Sequence, residues 1–227
     1  MRFQTILGIS VTLLIVISIL LVFLYAPEEK QMGLVQKIFY FHVPAAWNAF
    51  LAFGVTCVAS IGYLRKRTLK YDSVAVSSAE LGLVFCTIVF VTGPIWARGA
   101  WNTWWNWEPR LTTTLILWLM YAGYLVLRSA FTDERKRLYS AVLGILAFVN
   151  VPIVYFSVRW WGSVLHPVDV VKPTRVELDP RMQVAFFVSL FAFTLFYVYM
   201  LWLRVQVERL DQEVTDMQQR VLKGRDA

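Results

Sequence analysis

The chain contains two histidines, His42 and His166. Histidine is the commonest side-chain metal ligand, so a pair with no other histidine to compete is the first candidate for chemistry. In His42-Val43-Pro44 the proline suits the first turn of a helix, where its missing N–H costs nothing. That places His42 at the lip of a helix. In His166-Pro167 the proline biases the histidine toward extended backbone. Between them runs Trp101-Asn102-Thr103-Trp104-Trp105-Asn106-Trp107-Glu108-Pro109-Arg110. On a helix, Trp101, Trp104, Trp105 and Glu108 share one face and Trp107 points elsewhere. Pro109 disfavours helix at Glu108, so the spacing predicts a short amphipathic helix ending there. Arg98, Arg110, Arg159 and Arg175 lie near the same residues.

The elements that must position these groups are read from composition. Apolar residues make up 58% of the 227 and charged residues 16%, whereas globular domains are nearer half apolar. At roughly 20 apolar residues per membrane helix, the chain can fill about six spans. This excludes a soluble enzyme domain, a disordered chain and a disulfide-rich secreted module. Six stretches fit, roughly 5–25, 43–64, 81–97, 111–127, 138–158 and 182–203. They should be helical, because backbone groups in lipid must be satisfied within the segment. The ten-residue alternating segments of a membrane barrel are missing from the sequence. The first stretch is too long for a signal peptide and no small-x-small site follows it, so it is read as a retained helix.

Orientation follows from basic residues. Arg2, the cluster Arg65, Lys66, Arg67 and Lys70, the cluster Arg128, Arg135, Lys136 and Arg137, and the basic residues after 203 all fall on one side of a six-span chain. The expected fold is therefore all-α, with six transmembrane helices, cytoplasmic N and C termini, and three outer loops near 26–42, 98–110 and 159–181. The tryptophan-rich helix would lie in the outer interface. The net charge of +7 is then mostly a topology signal, and nucleic acid is dropped as a partner. Residues 1–204 form the membrane domain, and 205–227 read as a cytoplasmic amphipathic helical tail. Within the tail and its approach, Leu203, Val207, Leu210, Val214, Met217 and Val221 make an a/d stripe, suited to resting on membrane lipid or to packing on a partner. Cys57 and Cys86 sit inside spans with no C-x-x-C spacing and read as buried apolar side chains. Asn150 beside Pro152 and Glu80 near an inner helix end are expected to mark a kink and a helix contact.

Both histidines and the tryptophans 47, 96, 101, 104, 105, 107, 160 and 161 fall on the outer side, while Trp118 and Trp202 are ordinary belt residues. Haem suits this set. Indole faces give flat apolar contact, imidazoles ligate iron axially, and guanidinium groups bind propionates in forked pairs. Glu108 could hold Arg110 or an indole N–H, or cap the fourth span.

With the stretch 101–112 (WNTWWNWEPRLT) flanked by His42 and His166, the chain resembles the CcmC family of haem-handling proteins in cytochrome c biogenesis. Residues 37–47 (KIFYFHVPAAW) and 150–166 (NVPIVYFSVRWWGSVLH) carry the likeness further, and it covers nearly the whole chain short of the tail. The resemblance implies that haem b is held without a covalent bond at the periplasmic face of the inner membrane. His42 and His166 would be the axial ligands, and Trp101, Trp104, Trp105 and Trp107, with Trp160 and Trp161, the platform. Arg98, Arg110, Arg159 and Glu108 would position the propionates or the loop. The implied recipient is the haem chaperone CcmE, and the implied partners are the ABC-type subunits CcmA and CcmB and the small membrane protein CcmD. Two positions depart from the family pattern: Asn102 stands where Gly is common, and Glu108 where Asp is common. The larger cytochrome c synthases with this signature have more spans and more histidines, which argues against a ligase.

The leading expectation is a haem-binding and delivery protein that is not itself an enzyme. One competing reading is a lyase that promotes haem attachment to its partner. Another is a haem-free exporter subunit that docks partners through its tryptophans. The sequence has no G-x-x-x-x-G-K-[ST] motif for ATP hydrolysis, and an electron-transfer cytochrome b would need histidines within spans.

Overall fold

The computed structural model describes residues 2–131, 134–163 and 178–225. Their regular structure is helical: α1 (Arg2–Leu20) with a π turn (Leu21–Tyr25), a 3-10 turn (Leu34–Ile38) leading into α2 (Phe39–Lys66), then α3 (Leu69–Trp101), α4 (Pro109–Ala130), α5 (Glu134–Phe148), α6 (Asn150–Trp161) and α7 (Pro180–Arg225). Six helical segments are long and apolar enough to cross a membrane, with α5 and α6 together making the fifth. The protein is a multi-pass membrane protein. Successive spans run in opposite directions, so His42 and the tryptophan-rich stretch share one end of the bundle. The helix ends near 66–69 and 130–134 lie at the other.

Lipid tails are as apolar as leucine, so helices in a membrane are held by close packing and hydrogen bonds. α2 supplies both. It buries Ala45, Ala49, Ala52, Thr56 and Ser60 at spacings of three or four. The Ser78 hydroxyl of α3 donates to the Ala52 carbonyl at 2.7 Å, and the Thr56 hydroxyl lies 3.3 Å from the Ala75 carbonyl. A Cβ on Gly82 of α3 would come within 2.6 Å of Phe53, so that glycine is required by the contact. On another side of α2, Gly144 of α5 lies against Thr56 and Ser60. α1 runs antiparallel to α7, with the Ser18 and Ser189 hydroxyls 2.8 Å apart.

α3 begins well before the apolar stretch at 81, because its polar first turns are buried with partners. Asp72 is 2% exposed and takes a two-pronged ion pair from Arg128 of α4 at 2.6 and 3.0 Å, with Arg137 of α5 at 3.7 Å. Glu80 takes a second such pair from Arg204 of α7, at 2.6 and 2.9 Å. The Ser73 hydroxyl donates to Gln212. The expected contact at Glu80 is therefore an ion pair that ties α7 to α3. α7 runs without a break through residue 204, and Val207, Leu210, Val214 and Met217 of its apolar stripe are exposed.

Three local features bear on the site. α2 starts five residues before Pro44, not at it, because the 3-10 turn feeds straight into the helix; His42 is thus inside α2. The expected short helix over 101–108 is absent: α3 continues to Trp101, and residues 102–108 carry no regular structure. Asn102 stops α3 in the left-handed region (φ 57°, ψ 23°) and Pro109 fixes the start of α4, so the short stretch between them must turn the chain and cannot coil. At the expected kink the helix is interrupted: Val149 is a turn residue between α5 and α6, where Pro152 can supply no N–H to the preceding turn, and Asn150 Nδ2 donates to the Thr113 carbonyl of α4 at 2.8 Å.

Removing one partner of a buried ion pair costs roughly 3–5 kcal/mol. Asp72→Ala removes the carboxylate that Arg128 and Arg137 share, leaving Arg128 only Glu208 at 3.8 Å, and should lower the thermal unfolding midpoint in detergent markedly, whereas Glu213→Ala on the exposed side of α7 should not. Equal midpoints for both variants would show that the cluster contributes little.

Candidate functional site

His42 is half-buried, with its ring against α3. Its Nδ1 lies 2.9 Å from the Thr92 hydroxyl, and that hydroxyl donates to the Ile88 carbonyl at 2.7 Å. A Cβ on Gly93 would meet the ring at 3.3 Å, so the glycine lets the imidazole lie close to the helix. His166 is outside the described residues.

The tryptophan-rich stretch divides its indoles between two directions, unlike the shared helical face expected. Trp101 packs edge-on against Trp96, with centroids 4.6 Å apart, and Trp105 stacks on Phe90 at 6.2 Å. Trp105 thus anchors the loop to α3, while Trp101 packs within the last turns of that helix. Trp104 and Trp107 point outward, 59% and 72% exposed. At the end of α6, Trp160 and Trp161 are similarly open, at 58% and 61%, with Trp160 stacked on Phe156.

The Ser163 hydroxyl joins the loop to α6, donating to Glu108 Oε2 at 2.6 Å. Glu108 occupies the N-cap position of α4 but makes no side-chain cap there. A depression of about 750 Å³ opens at this junction, lined by Asn106, Trp107, Glu108, Pro109, Trp161, Gly162 and Ser163. It brings the tryptophan loop together with Trp161 at the end of α6; neither Trp160 nor His42 lines it. Arg98 donates to the Asn102 carbonyl at 2.9 Å, which positions the loop from the end of α3. Arg159 lies over the Tyr155 and Phe156 rings. Arg110 sits half-buried in the first turn of α4.

Sequence reading missed Thr92, Gly93 and Ser163. A threonine, a glycine and a serine carry no signal of their own; each matters through a neighbour from another helix or loop. Asn102, by contrast, now has a reason. Glycine favours its left-handed backbone, and asparagine is among the few other residues that tolerate it.

Six spans with a histidine and an outward-facing tryptophan loop at one end define a multi-pass membrane protein with an aromatic site at its rim. The model of the family described as CcmC, heme exporter protein C, matches residues 1–220. The heme exporter protein C of Bradyrhizobium diazoefficiens is 36% identical over 194 residues, 85% of this chain and 74% of that protein. That of Escherichia coli K12 is 37% identical over 176 residues, 75% and 69% of the two chains. That of Haemophilus influenzae is 31% identical over 190 residues, 83% and 77%. The chain belongs to the CcmC family.

Asn102→Gly should leave the loop in place, and Asn102→Val, forced to φ near +57°, should cost about 1–2 kcal/mol and loosen it. Acrylamide quenching of tryptophan fluorescence reads this: quenching should rise for the valine variant alone. Equal quenching in both would mean that residue 102 does not set the loop.

Proposed function

We propose that this protein binds haem b non-covalently at the histidine end of the bundle and delivers it for cytochrome c maturation. Five indoles more than half exposed at that end, Trp47, Trp104, Trp107, Trp160 and Trp161, are the observation that carries the reading. They offer flat apolar surface where a soluble or lipid-facing role would not need it concentrated. His42 and His166 are the axial ligands. Trp101 and Trp105 brace the loop from within, and the outward indoles receive the macrocycle. Arg98 and Glu108 hold the loop, while Arg110 and Arg159 meet the propionates. The names of the relatives, heme exporter protein C, support the cargo.

The histidine end faces the periplasm and the protein lies in the inner membrane, since the clustered basic residues gather at the opposite end. The recipient is the chaperone CcmE, and CcmA, CcmB and CcmD are the assembly partners. This chain makes no bond itself; it orients haem and releases it. ATP hydrolysis belongs to a partner, in keeping with the absence of a phosphate-binding glycine loop from the sequence.

The test is the pyridine haemochrome content of purified wild type, His42→Ala, His166→Ala and the double variant Trp104→Ala/Trp107→Ala. Wild type should carry haem b, and each histidine variant should lose most of it. The tryptophan variant should bind about ten-fold more weakly. If wild type took up no added haem, the indoles would instead serve to dock a partner subunit.

A further inference from the structure

We infer that Thr92 is a positioning residue for His42: its hydroxyl oxygen accepts the Nδ1–H of the imidazole and so presents Nε2 to iron. The inference rests on the reading of His42 as a haem ligand.

Proton counting assigns the direction of this bond. A threonine hydroxyl has a single hydrogen and two acceptor lone pairs. The hydrogen is directed to the Ile88 carbonyl 2.7 Å away, which can only accept. At the 2.9 Å contact with His42 Nδ1, that arrangement has the hydroxyl accept and the imidazole donate. In neutral imidazole one nitrogen carries the proton and the other the lone pair. With Nδ1 protonated, the lone pair that ligates iron is on Nε2. Haem and metal ligands are commonly oriented by such a bond from their second nitrogen.

The surroundings fix the ring as well as the tautomer. Thr92 and His42 are fifty residues apart in sequence and meet only because α2 and α3 pack closely. Gly93, next to Thr92, leaves the space into which Cε1 fits. The imidazole is thus held by a hydrogen bond on one edge and by the α3 surface beside it. Donation from Nδ1 also enriches the ring in electrons, which favours ferric over ferrous iron.

Thr92→Val isolates the effect. It keeps the β-branch and nearly the volume, and the Ile88 carbonyl keeps its backbone helix partner. Full-length wild type, Thr92→Val, Thr92→Ser and His42→Ala would be purified in detergent and titrated with hemin, and their haem midpoint potentials measured. Thr92→Val should weaken hemin binding about ten-fold and raise the midpoint potential, with the thermal unfolding midpoint unchanged. Thr92→Ser should restore both haem readouts. If His42→Ala weakens binding while Thr92→Val matches wild type in affinity and potential, Thr92 has no positioning role and the haem site stands. If His42→Ala also matches wild type, the assignment of His42 fails and the inference falls with it.

Discussion

The packing of α2 against α3 is the contact on which the rest of the structure depends. In lipid nothing pushes two apolar helices together as water does, so the pair must be held by fit and by hydrogen bonds. A row of small residues on α2 lets the backbones approach, and hydroxyls of one helix reach carbonyls of the other. That approach sets the register of α2 and α3, and the register sets His42 beside Thr92 and Gly93 at the far end. A slip of one turn along α3, about 5.4 Å, would carry the imidazole away from its acceptor.

The two ends of the bundle are built on opposite terms. At the end away from the histidine, Asp72, Glu80, Arg128, Arg137, Arg204 and Glu208 neutralise one another across α3, α4, α5 and α7. Buried charge is tolerable only when paired in this way, and the pairing locks these helices in place. At the histidine end several large aromatic side chains remain open. A protein that must take up a flat apolar cargo and release it needs this asymmetry: a fixed frame beneath an accessible rim.

The sequence made the architecture legible because hydropathy reports directly on lipid. Six spans, the interruption beside Asn150 and the shared end for His42 and the tryptophans were readable from apolar runs and proline alone. The start of α3 was not, because Asp72, Ser73, Ser77 and Ser78 look like a polar connection until their partners on other helices are known. The tryptophan loop misled for a related reason. Its i, i+3, i+4 spacing matches a helix, yet Asn102 in a left-handed conformation and Pro109 seven residues later leave no room for one. That φ is one glycine adopts freely and asparagine tolerates. Thr92 and Ser163 act across helices and loops and have no local pattern to find.

Electron paramagnetic resonance of the ferric haem-loaded protein tests the central claim most directly, because it reads the axial ligands of the iron. The account predicts a low-spin bis-imidazole signal for wild type. His42→Ala should give a high-spin signal that added imidazole returns to low spin. A low-spin spectrum unchanged in His42→Ala, or a wild-type signal with no histidine nitrogen on the iron, would contradict it.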